Sequence, residues 1–318
     1  MHGHRIDVHH HFLPPEYVAE VGGERIASLI LAGKVPDWSA QASLEAMDRN
    51  GIQSAITSIS APGLWFGDPA QTRRLCRHCN DFAGTLRDAH PGRFGVFASL
   101  PLPDVPASLA EIDHALDEIG ADGIGLLTRY GDRYPGDPAF AAVFDALDAR
   151  AAVVYFHPTD APCGDCQPEI PAATLDFPFD TTRAVVSLLF SGTFTRCPNI
   201  RFIFSHAGGT IPFLAERIAR LAALPRFAAS VPDGVRPVLE GLFYDTALSA
   251  NPLSFASLLA LVSHRQVLFG SDYPFAPEST MTASIEGLAG LGLEAAVLRG
   301  IERDHALSLF PRLRVHGG

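Results

Sequence analysis

A single-domain (β/α)8 TIM barrel spanning residues 1–318 is the fold class the sequence predicts, on three observations. Eight short runs rich in apolar, β-branched and aromatic residues recur along the chain. Several are apolar throughout, as parallel strands covered on both faces require. Segments with helical spacing separate them, and no internal repeat or low-complexity linker divides the chain. Regular strand–helix alternation of this length closes most simply into a barrel.

The strands read as residues 6–11, 54–58, 94–100, 123–127, 152–157, 201–205, 242–246 and 267–271. The helical segments read as 42–50, 70–90, 107–119, 138–150, 180–195, 211–224, 252–263 and 280–291. Punctuation supports the boundaries. Asp137 and Asp180 stand where N-caps belong, and Asn50-Gly51, Pro91-Gly92 and Gly120 follow helix ends.

Composition removes several classes of function. With 47% hydrophobic and 19% charged residues the chain can bury a sizeable core, so disorder is not expected. A net charge of −11 leaves no basic stripe to neutralise phosphates, which argues against nucleic acid as a partner. No apolar run is long enough to span a bilayer, and the N-terminus has no signal-like stretch. A cytoplasmic enzyme acting without a membrane is the expectation.

The five cysteines include the pairs Cys76/Cys79 and Cys163/Cys166, each Cys-x-x-Cys. A four-cysteine zinc site would need both pairs together, yet the first lies inside an amphipathic helical segment and the second in a Pro/Gly-rich loop. Cys76, Cys79 and Cys197 read better as small buried hydrophobes, while Cys163 and Cys166 leave a disulfide or redox pair open. Lys34 is the only lysine and lies in a polar stretch away from any strand end. A carboxylated lysine bridging two metals therefore has no well-placed candidate, which favours a single-metal site.

The residues that carry chemistry sit at strand ends. His9 and His11 are two apart in the first strand and project to one face, which suits two imidazole ligands of one ion. His157 ends the fifth strand, His206 follows the sixth and Asp272 follows the eighth. Taken singly, His157 could be a core histidine, His206 a turn cap and Asp272 an N-cap or turn former. The barrel brings all five to its C-terminal mouth, where enzymes of this fold keep their chemistry. Burying such groups together without an ion would be costly, so a divalent metal site, Zn²⁺ first and Mn²⁺ as the alternative, is expected.

The segments Asp7-Val8-His9-His10-His11-Phe12, Phe156-His157-Pro158, Ser205-His206-Ala207-Gly208-Gly209 and Gly270-Ser271-Asp272-Tyr273-Pro274-Phe275 resemble the amidohydrolase superfamily. Within it the chain is similar to the decarboxylase branch that includes aminocarboxymuconate-semialdehyde, γ-resorcylate and 6-methylsalicylate decarboxylases. The resemblance implies His9, His11, His157 and Asp272 as ligands of one metal ion, with His206 and Asp272 as the acid/base groups. It implies a homodimer in which Arg217, eleven residues after His206, reaches a substrate carboxylate across the interface; an exposed helical charge beside Glu216 is the alternative. His10 points away from its neighbours and reads as packing.

One departure narrows the substrate. The muconate-type enzyme has a carboxylate-binding arginine in the helix after Trp38, where this chain has Ser43. The segments from Pro36-Asp37-Trp38 to Ser58-Ile59-Ser60-Ala61-Pro62-Gly63 are closer to the 6-methylsalicylate type. Arg129, just past the fourth strand, is a candidate substitute anion contact or a cover for the barrel rim. Trp65, Phe66, Phe177 and Phe275 could form an aromatic slot at the mouth or simply pack a lid. Non-oxidative decarboxylation of an aromatic or unsaturated carboxylic acid is the leading expectation. Metal-dependent hydrolysis of a lactone, ester or amide uses the same ligands and is the alternative, and a non-catalytic binding scaffold is a third reading.

Overall fold

The computed structural model describes residues 4–160 and 169–314. Eight strands, β1 (Arg5–His11), β2 (Ile52–Ser58), β3 (Phe94–Ser99), β4 (Gly123–Leu127), β5 (Val153–His157), β6 (Arg201–Phe204), β7 (Phe243–Asp245) and β8 (Val267–Leu268), form one sheet in sequence order. Every neighbouring pair is parallel. Backbone bonds from Val8 to Phe269 (2.9 Å), from Asp272 to His9 (2.8 Å) and from His11 to Tyr273 (2.8 Å) join the last strand to the first. The (β/α)8 barrel expected from the alternation is the fold observed.

The helices are α1 (Pro15–Val21), α2 (Gly23–Ala27), α3 (Ala40–Arg49), α4 (Pro69–Ala89), α5 (Val105–Asp113), α6 (Ala141–Ala149), α7 (Ala172–Phe190), α8 (Thr193–Arg196), α9 (Ile211–Ala219), α10 (Pro225–Ala228), α11 (Val235–Glu240), α12 (Pro252–Leu261) and α13 (Glu278–Gly290). Shorter turns follow towards the C-terminus. Asp137 caps as expected, accepting from the Ala139 amide at 2.8 Å. Asp180 does not. Helix α7 begins eight residues earlier, after Pro171, and runs through Pro178. Asp180 is buried within it and accepts from Thr128 Oγ1 (2.5 Å) and Tyr134 Oη (2.6 Å), so its carboxylate ties the helix to the end of β4.

The core has two layers. Inside the barrel Ile6, Val8, Ile56, Phe97, Tyr155, Ile203 and Leu268 pack together, with Phe310 and Leu313 closing the N-terminal end. Phe97 and Tyr155 stack with centroids 5.0 Å apart. A larger apolar shell fills the space between strands and helices, and Cys76 and Cys79 lie in it as buried free thiols on α4, as does Cys197. Cys163 and Cys166 fall outside the described residues. Among the described residues no helix is long and apolar enough to cross a membrane.

Strand β1 departs from simple alternation. Ile6 and Val8 face the barrel interior, and so does His9, whose ring lies 5.4 Å from that of Tyr155. The pairing of β1 with β2 shifts register between Asp7 and His10, and this irregularity lets neighbouring residues turn inward. His10 is thereby turned out towards Ser43 of α3 and Asp7 towards Ser271, while His9 and His11 form the floor of the mouth.

Gly209 shows how tightly the mouth is built. Its φ is +64°, and a Cβ there would lie 2.0 Å from the Pro178 carbonyl oxygen of α7. Gly209→Ala is expected to lose about 3 kcal/mol of stability in urea unfolding. Gly290, which has nothing within 4 Å of a Cβ, should tolerate alanine without loss; equal effects of the two substitutions would contradict the tight packing of α7 on the β6 turn.

Candidate metal centre

His9 and His11 at the end of β1, His157 at the end of β5 and Asp272 beyond β8 meet at the barrel mouth, all buried. Their ligand atoms lie within 4.8 Å of one another. His9 Nε2 is 3.1 Å from His11 Nε2, and Asp272 Oδ1 is 3.2 Å from the first and 3.1 Å from the second. The His157 ring stands 5.2 Å from that of His9 and 4.8 Å from that of His11, nearly perpendicular to both.

The opposite nitrogens fix the tautomers. His9 Nδ1 donates to Asp245 Oδ2 (2.8 Å), His11 Nδ1 to the Ser58 carbonyl (3.1 Å) and His157 Nδ1 to the Pro158 carbonyl (2.8 Å). Each neutral ring so held carries its proton on Nδ1 and turns the Nε2 lone pair inward, the arrangement that metal-binding histidines use. In neutral rings the lone pairs of His9 and His11 then face each other and a carboxylate oxygen at hydrogen-bond distance, an arrangement that calls for a positive charge between them. A cation resolves this.

Without an ion, a proton on His9 stands in for the missing positive charge. Burial opposes charge on His9, but Asp245 and Asp272 outweigh it and raise His9 to about 10. Burial holds His11 below its ordinary value, and holds His157 well below it with the help of His11 and His9. Burial alone would raise Asp272, yet the His9 charge and bonds from His11 and His9 hold its carboxyl well below the usual range. The donor set of three imidazoles and one carboxylate thus fits one divalent ion.

His206 completes the floor without joining these four. Its ring lies 4.9 Å from His9 and 6.0 Å from His157, and Nδ1 donates to the Ala247 carbonyl at 3.1 Å. Nε2 is left for the cavity. Burial and the neighbouring His9 charge push His206 below its ordinary value, which favours the neutral ring. Both His206 (φ 53°) and Asp272 (φ 65°) adopt left-handed backbone conformations that side chains other than glycine rarely take.

Two buried aspartates hold the cluster, and sequence reasoning missed both. Asp245, at the end of β7, orients His9 with one oxygen and accepts the His206 and Ala247 amides with the other, at 2.9 and 3.0 Å. A strand-terminal acid in Phe243-Tyr244-Asp245-Thr246 was the available signal. Asp7 accepts the His9 and Ser271 amides (both 3.0 Å), the Ser271 hydroxyl (2.5 Å) and His10 Nδ1 (3.0 Å), clamping β1 to the loop that carries Asp272. His10 is packing, as expected. Its Nε2 accepts from Ser43 Oγ (3.2 Å), which itself accepts from Trp38 Nε1 (3.0 Å). Ser43 therefore supports the wall behind β1 and does not line the cavity.

The cavity above the cluster has a volume of about 500 Å³ and is reached by His157, His206 and Asp272. Leu29, Ala61, Phe177, Leu248 and Phe275 give it apolar walls, and no Lys or Arg lines it among the described residues. Phe275 packs edge-on against His11 and Phe177 against His157. The other candidate contacts lie elsewhere. Trp65, Phe66 and Arg129 line a neighbouring cavity. Arg217 is exposed on α9, and Lys34 is exposed in the turn between α2 and α3; neither lines either cavity.

The amidohydrolase family model matches residues 6–312. The chain belongs to the amidohydrolase family. It is 36% identical to the 6-methylsalicylic acid decarboxylase of Penicillium expansum over 98% of this chain and 97% of that protein. Among solved structures, an amidohydrolase II superposes with a TM-score of 0.89 at 30% identity, covering 96% of this chain and 99% of that one. A dihydroxybenzoic acid decarboxylase from Polaromonas, solved with bound manganese and the inhibitor 2-nitroresorcinol, superposes with a TM-score of 0.85 at 21% identity, covering 99% of this chain and 98% of that one.

Elemental analysis of purified protein should find about one divalent ion per chain. His157→Ala should abolish binding, and Asp245→Asn should weaken it about 10- to 100-fold by releasing the His9 ring. Full metal content in His157→Ala would overturn the ligand set.

Proposed function

We propose that this chain is a metal-dependent, non-oxidative decarboxylase of an aromatic monocarboxylic acid carrying a hydroxyl group, with His9, His11, His157 and Asp272 as the ligands of one ion. The observation that carries the reading is the pairing of that donor set with a largely apolar cavity that no Lys or Arg lines among the described residues. Relationship across the whole chain to a 6-methylsalicylic acid decarboxylase supports it. A second carboxylate on the substrate would find no Lys or Arg among the described residues of the cavity, and burying an unpaired charge is costly. Donors of three nitrogens and one oxygen favour Zn²⁺; Mn²⁺, the ion in the Polaromonas enzyme, is the alternative.

The bound ion supplies Lewis acidity that draws negative charge from the substrate's carboxylate and hydroxyl oxygens. The protein's own groups do the rest. Phe177 and Phe275 confine the ring beside His157 and His11. His206, kept neutral and oriented by the Ala247 carbonyl, presents Nε2 as the proton-handling group. His206 Nε2 takes up the proton of the substrate's hydroxyl group and passes it, directly or by way of Asp272, to the ring carbon that bears the carboxylate; solvent returns a proton to the hydroxyl oxygen at the end. The bond to the carboxylate carbon then breaks, its electrons restore the aromatic ring, and CO2 leaves.

We assign the active form as a homodimer. Phe213 on α9 is 82% exposed and Leu253 on α12 is 86% exposed, on two helices that pack side by side. Arg217 lies one turn beyond Phe213, so a partner seated on this face would meet that guanidinium. The free thiols of Cys76, Cys79 and Cys197 suit a cytoplasmic setting.

Incubation with 6-methylsalicylate, 2,6-dihydroxybenzoate, a benzene dicarboxylate and a set of lactones, with CO2 and acid followed separately, tests the activity. CO2 from a monocarboxylate and none from the dicarboxylate is expected; acid from a lactone without CO2 would move the chain to the hydrolases. His206→Ala should retain its metal and lose at least about 100-fold in kcat. Phe213→Asp with Leu253→Asp should halve the mass in solution, and an unchanged mass would remove the dimer face.

A further inference from the structure

Beside the metal-bearing cavity lies a second one of about 340 Å³, at the same end of the barrel. Leu29 lines both, and Pro62 and Thr159 of the second lie one and two residues from Ala61 and His157 of the first. The two differ in charge. Arg25 and Arg129 both line the second cavity, whereas no base lines the first among the described residues.

The two guanidinium groups are held differently. Arg129 donates through Nη2 to the Asp160 carbonyl at 2.9 Å and carboxylate at 3.5 Å, and through Nη1 to the Gly131 carbonyl. Its Nε is buried and has no partner among the described residues. Arg25, on α2, has no carboxylate partner among them, and its Cζ lies 4.5 Å over the centre of the Phe66 ring. With Asp160 counted, this cavity carries one net positive charge on a chain whose net charge is −11. Trp65 and Phe66 supply flat apolar walls beside the two bases.

We propose that this second cavity is a capture site for an aromatic monocarboxylate, holding its carboxylate at Arg25 and Arg129 and its ring against Trp65 and Phe66, before the acid passes Leu29 to the metal centre. An anion approaching an acidic protein meets net repulsion, and a local positive focus at the mouth raises its encounter rate. Arginine suits the task because it can pair with a carboxylate while stacking on an aromatic face. Separating capture from reaction keeps the competing arginines out of the metal-bearing cavity, which no Lys or Arg lines among the described residues. The proposal rests on the carboxylic-acid reading of the metal centre for the identity of its ligand.

The test uses benzoate as probe and the emission of Trp65 as reporter, in the holoenzyme carrying Trp38→Phe so that Trp65 is the one tryptophan left. Benzoate should change Trp65 emission saturably. Arg25→Met, which keeps the contact with Phe66 and removes the charge, should weaken binding about ten-fold, and Arg25→Lys should restore most of it. In the unmodified background Arg25→Met should lower kcat/KM for the substrate that releases CO2 and leave kcat unchanged, with the difference shrinking in 0.5 M salt, roughly three times the physiological level. No emission change, or equal benzoate affinity in Arg25→Met, overturns the capture site even if CO2 is formed. Arg25-dependent benzoate binding with no CO2 from any acid leaves the site standing and removes the decarboxylase reading.

Discussion

Everything at the barrel mouth depends on lone pairs brought too close to coexist without a cation. Three imidazole nitrogens and a carboxylate oxygen converge from β1, β5 and the end of β8, each imidazole aimed by a hydrogen bond on its far side. Electrostatic repulsion among such groups in a dry interior is several kcal/mol for each unpaired contact. The fold resists it with rigidity. Asp7 binds β1 to the Asp272 loop, Asp245 binds His9 to the turn that carries His206, and the apolar layer of Tyr155, Val8 and Phe97 lies directly beneath.

That arrangement divides labour between charge and shape. Positive charge at the centre is assigned to the ion, since besides His157, His206 and Asp272 the described walls contribute phenyl, methyl and hydroxyl groups and no Lys or Arg. A carboxylate is thus directed to the metal, and the remainder of the substrate is selected by apolar fit against Phe177 and Phe275. The basic groups of the mouth are displaced one cavity away, to Arg25 and Arg129. Discrimination against a doubly charged acid follows from what the walls omit.

Much of this was legible in the sequence because it depends on periodicity and order. The i, i+2 spacing of His9 and His11, and the position of each polar residue at a strand end, survive any small error in boundaries. What the sequence concealed depends on local departures from regularity. The register shift in β1 lets Val8 and His9 both face inward, which no period-two pattern shows. Asp180 resembles an N-cap because Pro178 precedes it, yet α7 absorbs that proline and places the carboxylate against Thr128 and Tyr134. Asp245 was passed over because a single acid at a strand end has many uses, and only the His9 partner 236 positions away gives it one. Arg129 was correctly placed past β4, but which of two adjacent cavities it lines is a matter of ångströms.

The most direct test is diffraction from crystals of the purified protein, with data collected on both sides of the absorption edge of the metal found in it. One anomalous peak about 2.0–2.3 Å from the inward nitrogens of His9, His11 and His157 and an oxygen of Asp272 is the expected result. A peak bound instead by His206 and Asp245, two peaks, or full metal content with none at these four side chains would contradict the account.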